Sequence, residues 1–535
     1  MKKTNKIFGL LALVLLAGGC VSEFEPYGPV ESSAFWKTEA DVKSAVNAFY
    51  DYVKEEEVAG RGHYWLEVCS DNMVVRNSAT NADPIKWFQM DPGSPRGNVF
   101  WQWMYRIIAR TNDVLRNVPE MNISQEVKDN AIGEAYFFRG YSYLWVAPWY
   151  GDNGVNGGIP ILTETTPTTE IDMPRAPKVT DNYDMIIADL QKASELVPLF
   201  SQLPPADYGR PHKAACWAFA ARAALYAAQW DPKYYDVVIE MCDKVIGLGG
   251  ADARGLYPDF TKLFTSANNF SEEYIYSLLG NKNGGARYHG VGFENGGFGA
   301  HNTYGYFPPT AELYEAFEPN DVRRDATLLS PGQHIQFIGR DIHYTVNPMV
   351  TTAPAKLHNR KFMSIFEPAD CLGTTVNTSG DNFSNEMGTV VMRFADVLLM
   401  KAEALIWKNE GDAVAKGLLN QIRKRAGLPE NSGGTKADLK QERRVELAYE
   451  FLPSRHLDLV RWGDAQTEYA KPLHGFDNIV YVTDGIGDTI GFDAAASTKR
   501  EIWGARTFNP TKHHVFPIPQ NTINSAKNLV QNVGY

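Results

Sequence analysis

Apolar residues recur at helical spacing along two stretches of the chain, before residue 250 and after residue 390, and lose that period in between. At the start of the first stretch Thr38 stands where a helix N-cap belongs, with Asp41 three residues on. Val42, Val46, Phe49 and Val53 then form one stripe. Trp101, Tyr105, Ile108, Asn112 and Leu115 mark a helix within 98–118, and Ala131, Ala135, Phe138 and Tyr141 another within 125–147. Tyr183, Ile186, Ile187 and Leu190 predict a helix over 179–197. An alanine-rich run over 212–230 (Ala214, Ala218, Ala221, Ala224, Ala228) predicts the next, and 234–247 completes its hairpin. A helix dense in alanine lets its neighbour approach closely, as stacked hairpins require.

After residue 390, Phe394, Leu398, Ala402 and Leu405 line one helix and Val414, Leu418 and Ile422 the next. Gly427 is placed to cap the second, and Pro429 blocks its continuation. A third helix is expected to run on through QERRVELAYEFLPSRHLDLVRWG to Gly463. There Glu442, Arg443, Arg444, Glu446, Arg455, Asp458 and Arg461 interleave with Val445, Leu447, Ala448 and Phe451. A solvated charged face is one reading. The interleaved apolar residues favour another, in which packed charges pair and lock the last helices against the middle of the chain. Residues 251–390 are rich in Gly, Asn and aromatics, with strand-like runs at Ile275–Leu279 and Val390–Met392 and one helix over Thr310–Phe317. The expected fold is therefore mostly α: about eight scaffold helices in four hairpins, six of the helices before residue 250, plus a large irregular insertion with short strands. The segment 58–98 also loses helical period and reads as a long loop, a kind of segment that is more often functional than idle.

Composition narrows the function. A formal net charge of -11 without any Lys/Arg-rich block argues against nucleic acid as a partner. Cys20, Cys69, Cys216, Cys242 and Cys371 show no metal or disulfide spacing, and Cys216 and Cys242 read as small buried hydrophobes. Residues 1–19 combine Lys2, Lys3 and Lys6 with a short apolar run from Ile7 to Leu16 and the small residues Ala17, Gly18 and Gly19 before Cys20. That is a secretory signal, too short for an ordinary membrane span. The small-small-Cys ending resembles a bacterial lipobox, with Ala17 where leucine is usual, so Cys20 is expected to carry a lipid anchor. Residues 20–37 follow as a tether.

No catalytic motif assembles. There is no GxSxG elbow, HExxH helix or phosphate-binding lysine loop, and no cofactor or metal is expected. Gly290-Val-Gly292-Phe-Glu-Asn295 has Asn where a dinucleotide fingerprint needs its third glycine. His513 and His514 are adjacent, so their side chains diverge, and they read as a polar pair. Two carboxylates across a sugar ring would make a glycosidase, but no motif points to such a pair. Sugar binding asks for aromatic faces and planar hydrogen-bonding groups. Two segments supply them: 64–91, with Trp65, Asp71, Asn72, Arg76 and Trp87, and 285–307, with Tyr288, His289, Tyr304 and Tyr306.

The strings RFADVLLMKAEAL, LNQIRKRAGLP, ERRVELAYE, DLVRWG and HHVFPIPQNTINSAKNLVQNVGY stand in order over the last third of the chain and resemble the SusD/RagB family. TAELYEAFEPNDVRRDATLL and GEAYFFRGYSYLW resemble further segments of it. The resemblance implies a SusD-like fold whose hairpins are of tetratricopeptide type, with a helical part over 38–250, the insertion over 251–390 and a C-terminal part over 391–535. It also implies a non-enzymatic lipoprotein of the outer-membrane surface that binds a glycan and delivers it to a SusC-like TonB-dependent β-barrel transporter. Some relatives suggest an oligopeptide cargo instead. One departure stands at Glu450-Phe-Leu-Pro-Ser-Arg455, where the family's shorter, glycine-containing turn is missing.

Overall fold

A computed structural model describes residues 35–535 except 54, 56–57, 59–60, 76–82, 153, 168–171, 280–305, 338–339, 344–353, 362–387 and 451–453. The first stretch forms α1 (Glu39–Val53), the short α2 (Arg61–Glu67), α3 (Pro95–Asn117), α4 (Gln125–Tyr150), α5 (Val179–Leu196), α6 (Lys213–Ala227) and α7 (Tyr234–Ile246). Thr38 and Asp41 exchange the expected capping bonds, and Val42, Val46, Phe49 and Val53 are the buried stripe of α1. Consecutive long helices pack side by side, α3 on α4, α4 on α5, α5 on α6 and α6 on α7. The alanine-rich α6 is buried along most of its length, Cys216 included. Between α4 and α5 the crossing is tight at Gly140, where a Cβ would meet Leu190 Cγ at 2.9 Å. Arg139 ties three helices together: it donates two bonds to Asp189, at 2.7 and 2.8 Å, and one to Asn112 at 2.9 Å.

The second stretch continues the same stack, because α7 packs on α10 (Phe394–Lys408) and α10 on α11 (Ala413–Arg425). Between them in sequence lie α8 (Ala311–Ala316), capped by Thr310, and α9 (Val322–Thr327). The two strand-like runs meet as an antiparallel pair, β1 (Tyr274–Leu278) with β2 (Thr389–Arg393), which closes the ends of the insertion onto the scaffold. Four further strands follow: β3 (Leu473–Asp477) pairs with β6 (Thr498–Trp503), and β4 (Tyr481–Thr483) with β5 (Thr489–Phe492). No helix among the described residues is long and apolar enough to cross a membrane.

Three details differ from the pattern-based expectation. Arg61–Glu67 is helical within a stretch expected to be a loop. Val414 is 52% exposed, so the buried stripe of α11 begins one residue later, at Ala415. The expected third helix is two: α12 (Lys436–Glu446) and α13 (Arg455–Trp462). Tyr449, at φ +64°, breaks the run where its ring is buried, and Ser454 caps the restart by accepting from Leu457 N at 3.1 Å.

On α12 and α13 Glu442, Arg443, Glu446 and Asp458 are buried and paired. Glu446, 0% exposed, accepts from Arg323 at 2.8 Å, from Arg393 at 2.6 Å and from Arg425. Arg393 also reaches Glu273 and both oxygens of Glu450, each at 2.7 Å. Arg323 pairs with Asp321 at 2.7 Å and with Glu442. Lys361 donates to Glu450 at 2.6 Å. A second cluster joins Arg443 and Arg461 to Asp458 and Glu403. Glu273, Asp321, Arg323 and Lys361 come from the insertion, so these pairs lock α11 and α12 onto it, as the interleaved pattern suggested.

Burial alone would push the Glu446 carboxyl up, but Arg425, Arg393 and Arg323 overcome it and hold it well below the usual carboxylate range. Glu450 is likewise lowered, burial being outweighed by Arg393 and Lys361. For a lowered acid the stabilisation is complete above the unfolded value, 4.5, and is lost as pH falls through the folded one. Glu446→Ala should cost about 3–5 kcal/mol at pH 7, because it strands buried arginines. The acid limb of a stability–pH profile should be shallower for Glu446→Gln than for wild type, as read by urea unfolding. Gly140→Ala, measured the same way, should cost about 1–3 kcal/mol from overpacking.

Candidate functional site

Of the second segment singled out for ligand contact only Tyr306 and Phe307 are described, and they and the residues that follow lie beside the first segment. Met73 bridges Pro309 in antiparallel fashion, Val74 N donates to Pro308 O at 2.9 Å and Thr310 N to Asn72 O at 3.1 Å. Aromatic rings pack across this seam: Tyr64 on Phe307 at 5.5 Å, and Trp65 on Tyr306 at 5.2 Å and Phe307 at 4.9 Å. The Arg96 guanidinium covers the Trp65 ring at 4.2 Å.

Three of the expected contacts are buried in this arrangement. Trp65 is 3% exposed, its ring enclosed by Arg96, Tyr306 and Phe307, so it supports the seam and offers no open face. Asp71 is also buried and accepts from Arg455 at 2.8 and 3.0 Å and pairs with Arg444 at 3.3 Å. Burial works against its charge, yet Arg444 and Arg455 hold its carboxyl below the usual range. Buried Asn72 accepts from Arg444 Nε at 2.9 Å. Both polar residues join the seam to α12 and α13 through bonds that leave them little to give a ligand.

Trp87 and Tyr306 are half-buried and keep part of their surface open. Trp87 lies 6.1 Å from Trp503, and Lys86 Nζ sits 5.7 Å and 5.1 Å from the two rings. Arg76, Tyr288, His289, Tyr304 and Cys20 lie outside the described residues. Arg96, Trp503 and Lys86 were not anticipated. Lys86 adjoins Trp87 in sequence, but nothing local marks Arg96 or Trp503 as neighbours of this surface.

Several buried carboxylates have the raised affinity for protons that general acids share, Glu134, Asp189 and Glu442 beside their arginine partners and Glu67 with none among the described residues. Glu67, 6% exposed, is pushed up by burial to about 8. It accepts from Ser454 Oγ at 2.5 Å and His456 N at 3.2 Å, which places it at the start of α13. The hollow beside it measures 20 Å³, room for about one water and far too little for a sugar ring. Its geometry is that of a helix-terminus anchor. Of the adjacent histidines, His513 stacks on Phe88 at 5.6 Å and His514 is buried. No group of three or more His, Cys, Asp or Glu among the described residues is arranged to hold a metal.

Two family profiles match the sequence: one described as the SusD family over residues 249–535, and one described as starch-binding, associating with outer membrane, over residues 29–225. A SusD-like protein P2 of Formosa agariphila is 25% identical over 529 residues, covering 88% of this chain and 97% of the relative. A SusD-like protein from Bacteroides fragilis superposes with a TM-score of 0.74 at 22% identity, covering 94% of this chain and 98% of that one. A laminarin-binding SusD-like protein superposes at 0.70 and 21% identity, covering 93% and 100%. These likenesses bear out the mostly helical SusD-like fold expected from the motifs.

Glu67 carries a pH signature. Its folded value of about 8 lies above the usual 4.5, so the folded state holds the extra proton between them and stability falls as pH rises through that window. In Glu67→Gln that contribution vanishes. The difference in urea midpoint between variant and wild type should therefore grow in the variant's favour from pH 5 to pH 8.5.

Proposed function

Because the chain belongs to the SusD family, we propose that it binds an oligosaccharide or polysaccharide at the outer-membrane surface and does not cleave it. The observation that carries the reading is the seam between segments 70–75 and 306–310, flanked by the half-open aromatics Trp87 and Tyr306. Aromatic faces take the apolar side of a sugar ring, and planar groups nearby take its hydroxyls. Two related family descriptions support the class: a starch-binding, outer-membrane-associated profile over the first part of the chain and a structural neighbour that binds laminarin.

Delivery follows from the same reading. Cys20, lipidated, anchors the chain to the outer membrane, and the bound glycan passes to a SusC-like TonB-dependent β-barrel. The net charge of -11 disfavours a sulfated or uronate-rich polymer as cargo and favours a neutral one.

Migration in native gels cast with laminarin, starch, xylan or mannan tests the reading. Retardation in at least one gel, without release of reducing ends, is the expected result; reducing-end release would make the protein an enzyme. Trp87→Ala and Tyr306→Ala should each weaken retention by about 1 kcal/mol, roughly fivefold, at unchanged melting temperature. Trp65→Ala should instead lower stability by about 3–5 kcal/mol, because it empties a packed position.

A further inference from the structure

A groove of 740 Å³ opens on the helical scaffold between α1, the start of α4 and the segment 197–211. Ligand pockets typically span about 300–1,000 Å³. The hollows beside Glu67, His514 and His212 hold 20 Å³ each, so this is the one described space among these four that admits more than a water. Val42, Val46 and Val127 give it an apolar floor. Its polar end is organised around Arg210. That guanidinium donates to both oxygens of the buried Glu134 at 2.9 and 3.0 Å, to Asp207 at 2.9 Å and to Asn47 at 3.2 Å. Tyr50, whose ring lies 5.3 Å from the Arg210 guanidinium, donates to the same Glu134.

The lattice is set before any ligand arrives, so binding would not have to order it. It leaves groups unspent. Asn47 uses only its oxygen, Gln202 accepts from Leu199 N through its oxygen and keeps its amide nitrogen, and the exposed Asn130 bonds to nothing among the described residues. Tyr208 of the Asp207–Arg210 turn packs on Phe270 at 4.9 Å, and Phe270 borders the small hollow at His212 and not the groove. An apolar floor beside unspent planar amides offers a sugar its apolar contact and its hydroxyl partners. Acidic side chains outnumber basic ones around the groove, Glu39, Glu126, Glu134 and Asp207 against Lys43 and Arg210, which disfavours an anionic ligand.

We propose that this groove is a second carbohydrate site, separate from the seam at residues 70–75 and 306–310, and that it takes a neutral oligosaccharide. The proposal rests on the glycan-binding reading above but on different residues, so the two can fail separately.

The test is hydrogen–deuterium exchange and calorimetry on the purified protein with laminarihexaose, maltohexaose and xylohexaose, and with tetragalacturonate as the acidic counterpart. With a neutral hexasaccharide, added protection is expected in 40–47 and 197–211. The double variant Asn47→Ala/Asn130→Ala, which deletes exposed amides, should weaken that event about fivefold or more, some 1 kcal/mol, at unchanged melting temperature. Trp87→Ala should leave it intact. Protection confined to the seam, with the double variant binding as wild type, overturns the second site and leaves glycan binding standing. Tetragalacturonate protecting the groove as strongly as the neutral sugars overturns the ligand class. Failure of every hexasaccharide and polysaccharide to bind overturns both readings.

Discussion

The carboxylate of Glu446 is the point on which the C-terminal half of the molecule turns. It is removed from water and faces three guanidinium groups, from Arg323 in the insertion, Arg393 at the end of β2 and Arg425 at the end of α11. Desolvating so many charges is costly, and only close, saturated pairing offsets it. Arg393 and Lys361 extend the pairing to Glu450, and Arg323 extends it to Asp321 and Glu442. The irregular insertion thus holds its place on the helical stack through charge geometry as well as through buried apolar residues such as Ile275, Tyr276 and Leu278. Directional pairing suits a segment with little regular structure, since it specifies one arrangement of elements that hydrophobic burial alone would leave loose.

That constraint extends to the seam. Arg444 and Arg455, on the same two helices, hold Asp71 and Asn72, and through them the backbone of 70–75 that meets 308–310. Trp65 fills the space beneath, clamped by Arg96 and the rings of Tyr306 and Phe307. The polar residues that a sugar site would call for are, in this stretch, consumed in fixing the loop, and recognition is left to side chains at its edge such as Trp87 and Tyr306. The same economy explains Glu67, whose raised proton affinity comes from burial at a helix start and not from a catalytic cleft. On the helical face, by contrast, Arg210 and Glu134 satisfy each other and still leave neighbouring amides open to a groove. The scaffold and its loops therefore offer two surfaces of different construction, a seam of packed loop segments and a groove between α1, α4 and the segment 197–211.

Local periodicity by itself determined the helical architecture. The stripe Val42, Val46, Phe49 and Val53, the alanine face of α6, the strand-like runs that became β1 and β2, and the short helix after Thr310 depend on neighbours within a few residues and were legible for that reason. The motifs over the last third were equally legible as a family resemblance, and the interleaving of charge with apolar residues in α12 pointed to buried pairs before any partner could be named. What only the tertiary structure decided were the partners. Glu446 meets Arg323 across 123 positions and Asp71 meets Arg455 across 384. No periodicity links residues so far apart, and an aspartate or tryptophan in a polar loop reads the same whether it faces a ligand or a buried arginine. The break between α12 and α13 was legible only as a turn of the family, and its geometry was hidden, because Tyr449 takes a left-handed backbone without the glycine that would have announced it. Burial is a property of what the rest of the chain brings to a position, so Trp65 and Asp71 could be assigned to packing and pairing only once the fold had placed Arg96, Phe307 and Arg455 against them.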